Sequence, residues 1–200
     1  MLTGSYYDIS FYYNNGAGSP VAAAQGLGFL QEFVARFTQT PITNYDSTTN
    51  STLDSNPKTF PLNQSIYADA THEVVVADVL TALNLTALFS SGPLPTDKRD
   101  DSASFVASKV VPFATHFHIQ VMECSDMSPT KQMRFILNDA VLPIDKSYPG
   151  CEYNQDGLCP FDTVVAALQK RIEEIDFEYD CFGNYTAQPG MDYNGRAPRS

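Results

Sequence analysis

The dipeptide His72-Glu73 stands between a short extended run, residues 65–69, and an almost wholly apolar run, residues 74–83. Periodicity and length predict a strand before the pair and a buried helix after it. Where a strand ends and a helix begins, free backbone N–H groups and the positive end of the helix dipole coincide. An imidazole beside a carboxyl group at such a corner can hold an anion and deliver a proton. Two readings follow from the residues: phosphoryl chemistry, with His72 contacting phosphate and Glu73 as proton donor, or a buried histidine beside a first-turn Glu73 that merely complements the helix dipole.

Other pairings offer less. His116 and His118 alternate along a predicted strand, residues 115–123, and share its solvated face. Two imidazoles suggest a metal module, but no third ligand stands at a suitable spacing, so no metal and no cofactor are expected. There is no G-x-S-x-G elbow, and Gly26-Leu27-Gly28 has neither the third glycine nor the preceding strand of a dinucleotide site. Those glycines read instead as close packing of a helix against neighbouring backbone. The cluster Glu173, Glu174, Asp176, Glu178 and Asp180 lacks calcium-loop spacing and reads as a solvated helix face.

The elements that must position the corner follow from pattern. Residues 1–20, rich in Tyr, Asn, Gly and Ser, read as a loop-like entry with room for a short turn of helix. Leu27, Leu30, Phe33, Val34 and Phe37 recur at helical spacing within a helix from residue 21. Residues 38–64 and 90–104 are polar, Pro-containing connectors. Residues 131–142 should pair antiparallel with residues 115–123, and a helix should run from Pro160 to Ile175. Residues 1–182 are expected to form one α/β unit, with residues 183–200 a polar, disordered tail.

Composition excludes several classes. The formal charge of −11 speaks against nucleic acid or an anionic membrane surface as partner. It also conflicts with an anionic substrate unless positive charge is supplied from elsewhere. No run approaches the ~20 apolar residues of a membrane span. Cys151 and Cys159 bracket a polar turn-forming segment suited to a small disulfide-closed loop. Cys124 and Cys181 either pair with each other or have partners outside the chain. Four N-x-[ST] acceptors, Asn50, Asn63, Asn84 and Asn184, suggest an extracellular glycoprotein, although no signal peptide is visible.

The order of these features resembles the C-terminal half of fungal histidine acid phosphatases, the family that includes secreted phytases. The resemblance rests on Tyr12-Tyr13 through Gly16-Ala17-Gly18-Ser19-Pro20 and on Ala24 through Phe29 running into Glu32-Phe33-Val34-Ala35-Arg36. It continues through Leu53-Asp54-Ser55-Asn56-Pro57, Tyr67 through Glu73, Val111-Pro112-Phe113, Leu137-Asn138-Asp139 and Val141-Leu142-Pro143. The Cys151–Cys159 loop and Cys181-Phe182 complete it.

The resemblance implies an α/β, phosphoglycerate-mutase-like mixed sheet with flanking helices, here incomplete. It also implies a double displacement. A histidine in an R-H-G-x-R-x-P motif attacks phosphorus, arginines clamp the phosphoryl oxygens, and a distal His-Asp pair contacts phosphate and donates the proton. His72 matches that distal histidine, and Glu73 replaces the aspartate with one methylene more. The nucleophilic motif is absent: none of the six arginines and none of the three histidines lies in R-H-G.

This chain is therefore expected to supply the proton-donor corner of an acid phosphomonoesterase and to be inactive alone, with Met1 an internal methionine of the complete protein. The alternative is a secreted, non-catalytic remnant that binds phosphate or a protein. The resemblance implies a phosphomonoester substrate, inositol phosphates among the candidates, although Phe11 stands where phytases often carry a phosphate-contacting lysine. It also implies a Cys151–Cys159 disulfide, N-terminal partners for Cys124 and Cys181, and self-association through the exposed edges of an incomplete sheet.

Overall fold

The structure, a computed structural model, describes residues 2–199. Met1 lies outside them, as does Ser200 at the end of the tail.

The chain opens with α1, Leu2–Asn15, and turns through Gly16–Ser19 into α2, Ala22–Thr38. The entry expected to be a loop is thus helical for 14 residues. Tertiary burial overrides its weak propensity: Phe11 and Tyr12 are buried, and Ile9 and Tyr13 pack against the same core. The Ser19 hydroxyl then accepts from the Val21 and Ala22 amides and starts α2.

A short helix, α3 (Ser51–Asp54), interrupts the connector that follows, capped by the Asn50 side-chain oxygen. The apolar run after His72 forms α4, Glu73–Ala82. Beyond a 3₁₀ turn at Thr86–Phe89 and a short helix α5, Ala107–Val110, comes the sheet. Strand β1, Phe117–Glu123, pairs antiparallel with β2, Lys131–Leu137, in unbroken register from Phe117 opposite Leu137 to Glu123 opposite Lys131. Two short strands, β3 (Ala140–Val141) and β4 (Cys159–Pro160), pair antiparallel with the other edge of β2. Helices α6, Phe161–Glu174, and α7, Phe177–Phe182, close the domain. The class is α/β with flanking helices, and every strand pairing among the described residues is antiparallel.

Cys151 and Cys159 form the expected disulfide, Cα to Cα 5.2 Å, while Cys124 and Cys181 are free thiols in the structure. Two differences from the sequence expectations matter for the site. Residues 65–69 form no strand and join no sheet. The tail is not loose over its described length. Gly195 accepts from the Ala23 amide, Ala17 accepts from the Tyr193 amide, and Asp180 accepts from the Ala197 amide. Buried Arg171 donates to the Asn194 carbonyl at 2.7 Å. Backbone pairing and one buried guanidinium replace the apolar pattern that would have signalled burial.

The helix pair α2 and α4 forms the centre of the core. A Cβ on Gly26 would lie 2.5 Å from the Asp78 carbonyl oxygen and 2.7 Å from the Ala82 Cβ. The glycine therefore permits backbone contact, as the sequence suggested. Gly26→Ala is expected to cost about 1–3 kcal/mol through this overlap, outweighing the ~1 kcal/mol that alanine gains in a helix. Urea unfolding at fixed pH measures it.

Asp78 points the other way, to α1, where it accepts from Asn15 Nδ2 at 3.0 Å. It is 5 % exposed with no cation beside it, and burial pushes its carboxyl up to about 7 from the ordinary 3.8. The unfolded chain releases this proton near pH 4 and the folded chain near 7, so the folded state binds more protons in between. The stabilisation is complete below pH ~4 and is lost as the pH rises to ~7, up to about 4 kcal/mol. In Asp78→Asn, urea midpoints at pH 4.5 and 7.5 should converge relative to those of the parent chain. The slope that remains belongs to Glu32 and Asp180, which burial also raises, and to His116, raised by its hydrogen bond to Asp139.

Candidate active site

His72 is the residue before the first turn of α4, with extended backbone (φ −83°, ψ 157°), and its carbonyl accepts from the Val75 and Val76 amides. Its side chain makes no capping bond, so the first amides of α4 remain available to an external acceptor. Both His72 and Glu73 are exposed. Among the described residues, neither side chain has a hydrogen-bond partner. An imidazole, a carboxyl group and free helix amides thus face solvent together, an arrangement able to accept an oxyanion and transfer a proton.

What holds the corner is Arg36, near the end of α2. Its guanidinium donates to both oxygens of Asp69, at 2.7 and 3.3 Å, and to Glu32 at 3.2 Å. It also lies 5.2 Å from the ring centroids of both Phe60 and Tyr67. This forked, stacked contact does for residues 60–69 what a sheet partner would have done. An arginine within a helical apolar pattern carried no sequence signal of this role.

The remaining arginines are committed elsewhere. Arg99 pairs with Asp101, and Arg134 donates to Gln120. Arg171, buried, reaches the Thr81, Ala82 and Asn194 carbonyls, and burial lowers its guanidinium to about 10. Arg196 pairs with Glu174, and Arg199 with Asp176 and Asp180. No arginine among the described residues pairs with His72 or Glu73. The corner thus sets an imidazole beside a carboxyl group with, among the described residues, no guanidinium paired to either.

His116 and His118 do lie together, ring centroids 5.2 Å apart, yet His116 has both nitrogens engaged. Nδ1 faces the Ala114 carbonyl at 3.3 Å and Nε2 faces Asp139 at 3.1 Å. Two oxygen acceptors fit an imidazolium and leave no lone pair for a metal. The hydrogen bond to Asp139 raises the His116 pKa. Among the described residues, no group of three or more His, Cys, Asp or Glu could hold a metal ion. Asp139 and Asn138 form the β2–β3 turn with φ of 65° and 49°, and Asn138 Nδ2 donates to the Lys109 and Val110 carbonyls. Leu137-Asn138-Asp139 is accordingly a structural turn. Phe11 is interior, so its position offers no contact to a ligand.

The sequence matches the histidine phosphatase superfamily (branch 2) over residues 3–138, and the chain belongs to that family. It is 36% identical to phytase A of Aspergillus oryzae over 163 residues, 80% of this chain and 33% of the relative. It is 38% identical to phytase A of Aspergillus fumigatus over 161 residues and 36% identical to that of Penicillium oxalicum over 162. The chain spans about a third of the length of these curated relatives.

If Arg36 is the strap that positions the corner, Arg36→Lys should free residues 61–72. A lysine keeps the charge but loses the fork and the stacking. Limited proteolysis should then cut this segment at least several-fold faster, with α2 and α4 intact by circular dichroism.

Proposed function

We propose that this chain forms part of an acid phosphomonoesterase, with His72 contacting the phosphoryl group and Glu73 protonating the leaving alcohol. The observation that carries this reading is an unpartnered imidazole and carboxyl group at the free amino end of α4, in a chain of histidine phosphatase sequence. In this reading the Glu73 carboxyl gives its proton to the leaving oxygen as the P–O bond breaks, and the alcohol departs. The relatives' name, phytase, favours inositol phosphates as a substrate class. The buried Phe11 favours general phosphomonoesters.

Nucleophile and clamp belong to protein outside these 200 residues, since every arginine here is engaged otherwise. Phosphoryl transfer depends on positioning and charge stabilisation, so the chain alone is inactive. The engaged arginines equally support the second reading, a non-catalytic remnant that binds phosphate or a protein. Secretion and glycosylation fit both. Asn50, Asn63 and Asn184 are exposed acceptors, whereas Asn84 is half-buried in a positive-φ turn and is a poor one. Among the described residues, no helix is long and apolar enough to cross a membrane.

The test is p-nitrophenyl phosphate and inositol hexakisphosphate hydrolysis at pH 3–6, with the chain alone and with the unmatched portion of Aspergillus oryzae phytase A. Turnover is expected only in the combination, and Glu73→Gln should reduce it about 10²–10⁴-fold. Turnover by the chain alone that His72→Ala abolishes would contradict the division of labour. A combined activity indifferent to Glu73 would remove its assigned role. Phosphate binding without turnover in either case would favour the remnant.

A further inference from the structure

Residues 91–104 form a loop whose feet are tied and whose tip is bare. Ser91 and Ser104 are joined at its base, each amide donating to the other's hydroxyl, at 3.1 and 3.0 Å. Leu94 and Phe105 are buried beside them, and the Tyr13 hydroxyl donates to the Leu94 carbonyl. Between these anchors residues 96–102 are all exposed. Among the described residues, no backbone–backbone hydrogen bond engages residues 95–99. A small cavity separates the loop from α1, lined by Ile9, Pro95, Ala103 and the pair Lys98-Arg99, so the tip rests on incomplete packing.

Adjacent cations occur twice in the sequence, at Lys98-Arg99 and at Lys170-Arg171. The second pair lies within α6, where Arg171 is 3 % exposed and donates to the Thr81, Ala82 and Asn194 carbonyls. The first pair is accessible. Arg99 pairs with Asp101, both side chains exposed, an ion pair of little energy. Endoproteases hold the chain before the cut bond as an added strand, through backbone N–H and C=O groups, with pockets for the side chains. Residues 97–99 offer such backbone unpaired, and acidic pockets hold adjacent cations through charge-assisted bonds. Asp97, Asp100 and Asp101 flank the pair, so the positive charge is confined to the two residues those pockets engage.

We propose that the Arg99–Asp100 bond is a processing site for an endoprotease specific for paired basic residues. The cut consumes one water: the peptide C–N bond breaks, the carbonyl carbon takes the hydroxyl to become the Arg99 carboxyl group, and the nitrogen takes the hydrogen to become the Asp100 amino group. The cut chain stays folded as two pieces. All four cysteines lie in residues 100–200, so no disulfide within the chain joins the pieces. The core does. Across the cut, the Tyr148 hydroxyl donates to the Leu83 carbonyl, Arg171 to the Ala82 carbonyl, and the Ala23 amide to the Gly195 carbonyl. Neither His72 nor Glu73 is involved, so the site stands apart from the reading given under Proposed function.

The test is digestion of the 200-residue chain, at limiting dose, by a subtilisin-type endoprotease that requires Lys-Arg before the cut bond. Mass spectrometry should find residues 1–99 and 100–200 as the products, with Asp100 a new amino terminus. The pieces should separate on a denaturing gel without reductant, yet co-elute from a native sizing column at the position of the uncut chain. Lys98→Gln and Arg99→Gln, both at exposed positions, should each slow the cut about tenfold or more, the worth of one charge-assisted contact. A native chain left intact by a dose that cuts the heat-unfolded chain after Arg99 would overturn the proposal. First cleavage after Arg171 would do the same, as would a rate indifferent to both glutamines. Pieces that part on the native column would sink the two-chain form.

Discussion

The backbone contact between α2 and α4 is the constraint on which the other features depend. With no side chain at Gly26, the two helices meet at the Asp78 carbonyl, and the axis of α4 is fixed from below. Its far end is fixed by Arg171, whose guanidinium reaches the Thr81 and Ala82 carbonyls. That places a buried cation at the carboxyl end of the helix, complementing the dipole. Its near end is set by the Arg36 strap. Three contacts to backbone or to a strapping loop thus aim the amino terminus of α4 at solvent, with His72 and Glu73 on it. None of the three touches either residue.

Charge is allocated in a way that explains the conflict between an acidic chain and an anionic ligand. Six arginines serve as internal staples: to Asp69, Asp101, Gln120, helix-end carbonyls, Glu174, Asp176 and Asp180. A guanidinium already forked to a carboxylate offers little to a phosphate, because its donors and its charge are both engaged. Surplus negative charge remains on the surface, so an anion approaching the corner gains only the helix amides and one imidazole. Among the described residues no arginine is paired with His72 or Glu73, so the corner itself offers an anion no guanidinium.

How much of this was legible depended on whether local pattern carried the information. The helices α2, α4 and α6, the β1–β2 hairpin, the Cys151–Cys159 loop and the packing role of Gly26 followed from periodicity, cysteine spacing and composition. The His72-Glu73 pair could be found because its residue types and its place before an apolar run are both local. Helix α1 was not legible: its Tyr, Asn and Gly residues are poor helix formers, and only the burial of Phe11 and Tyr12 makes it helical. Nor was the docking of the tail, which runs through backbone carbonyls and Arg171 rather than apolar side chains. The strand expected at 65–69 failed for the complementary reason: among the described residues no strand pairs with this segment, and Arg36 holds it at Asp69 instead.

The buried carboxyls bear on the conditions such a scaffold favours. Asp78, Glu32 and Asp180 are all raised, burial being the leading cause each time. His116 is raised by Asp139. All four shifts make the folded chain bind more protons than the unfolded one, so mild acid stabilises it. Protonation also relieves the repulsion built into a chain of −11. Three of these groups are carboxyls at the helix contacts and the tail, the fourth is the imidazole beside the β2–β3 turn, and none of them lies at the corner.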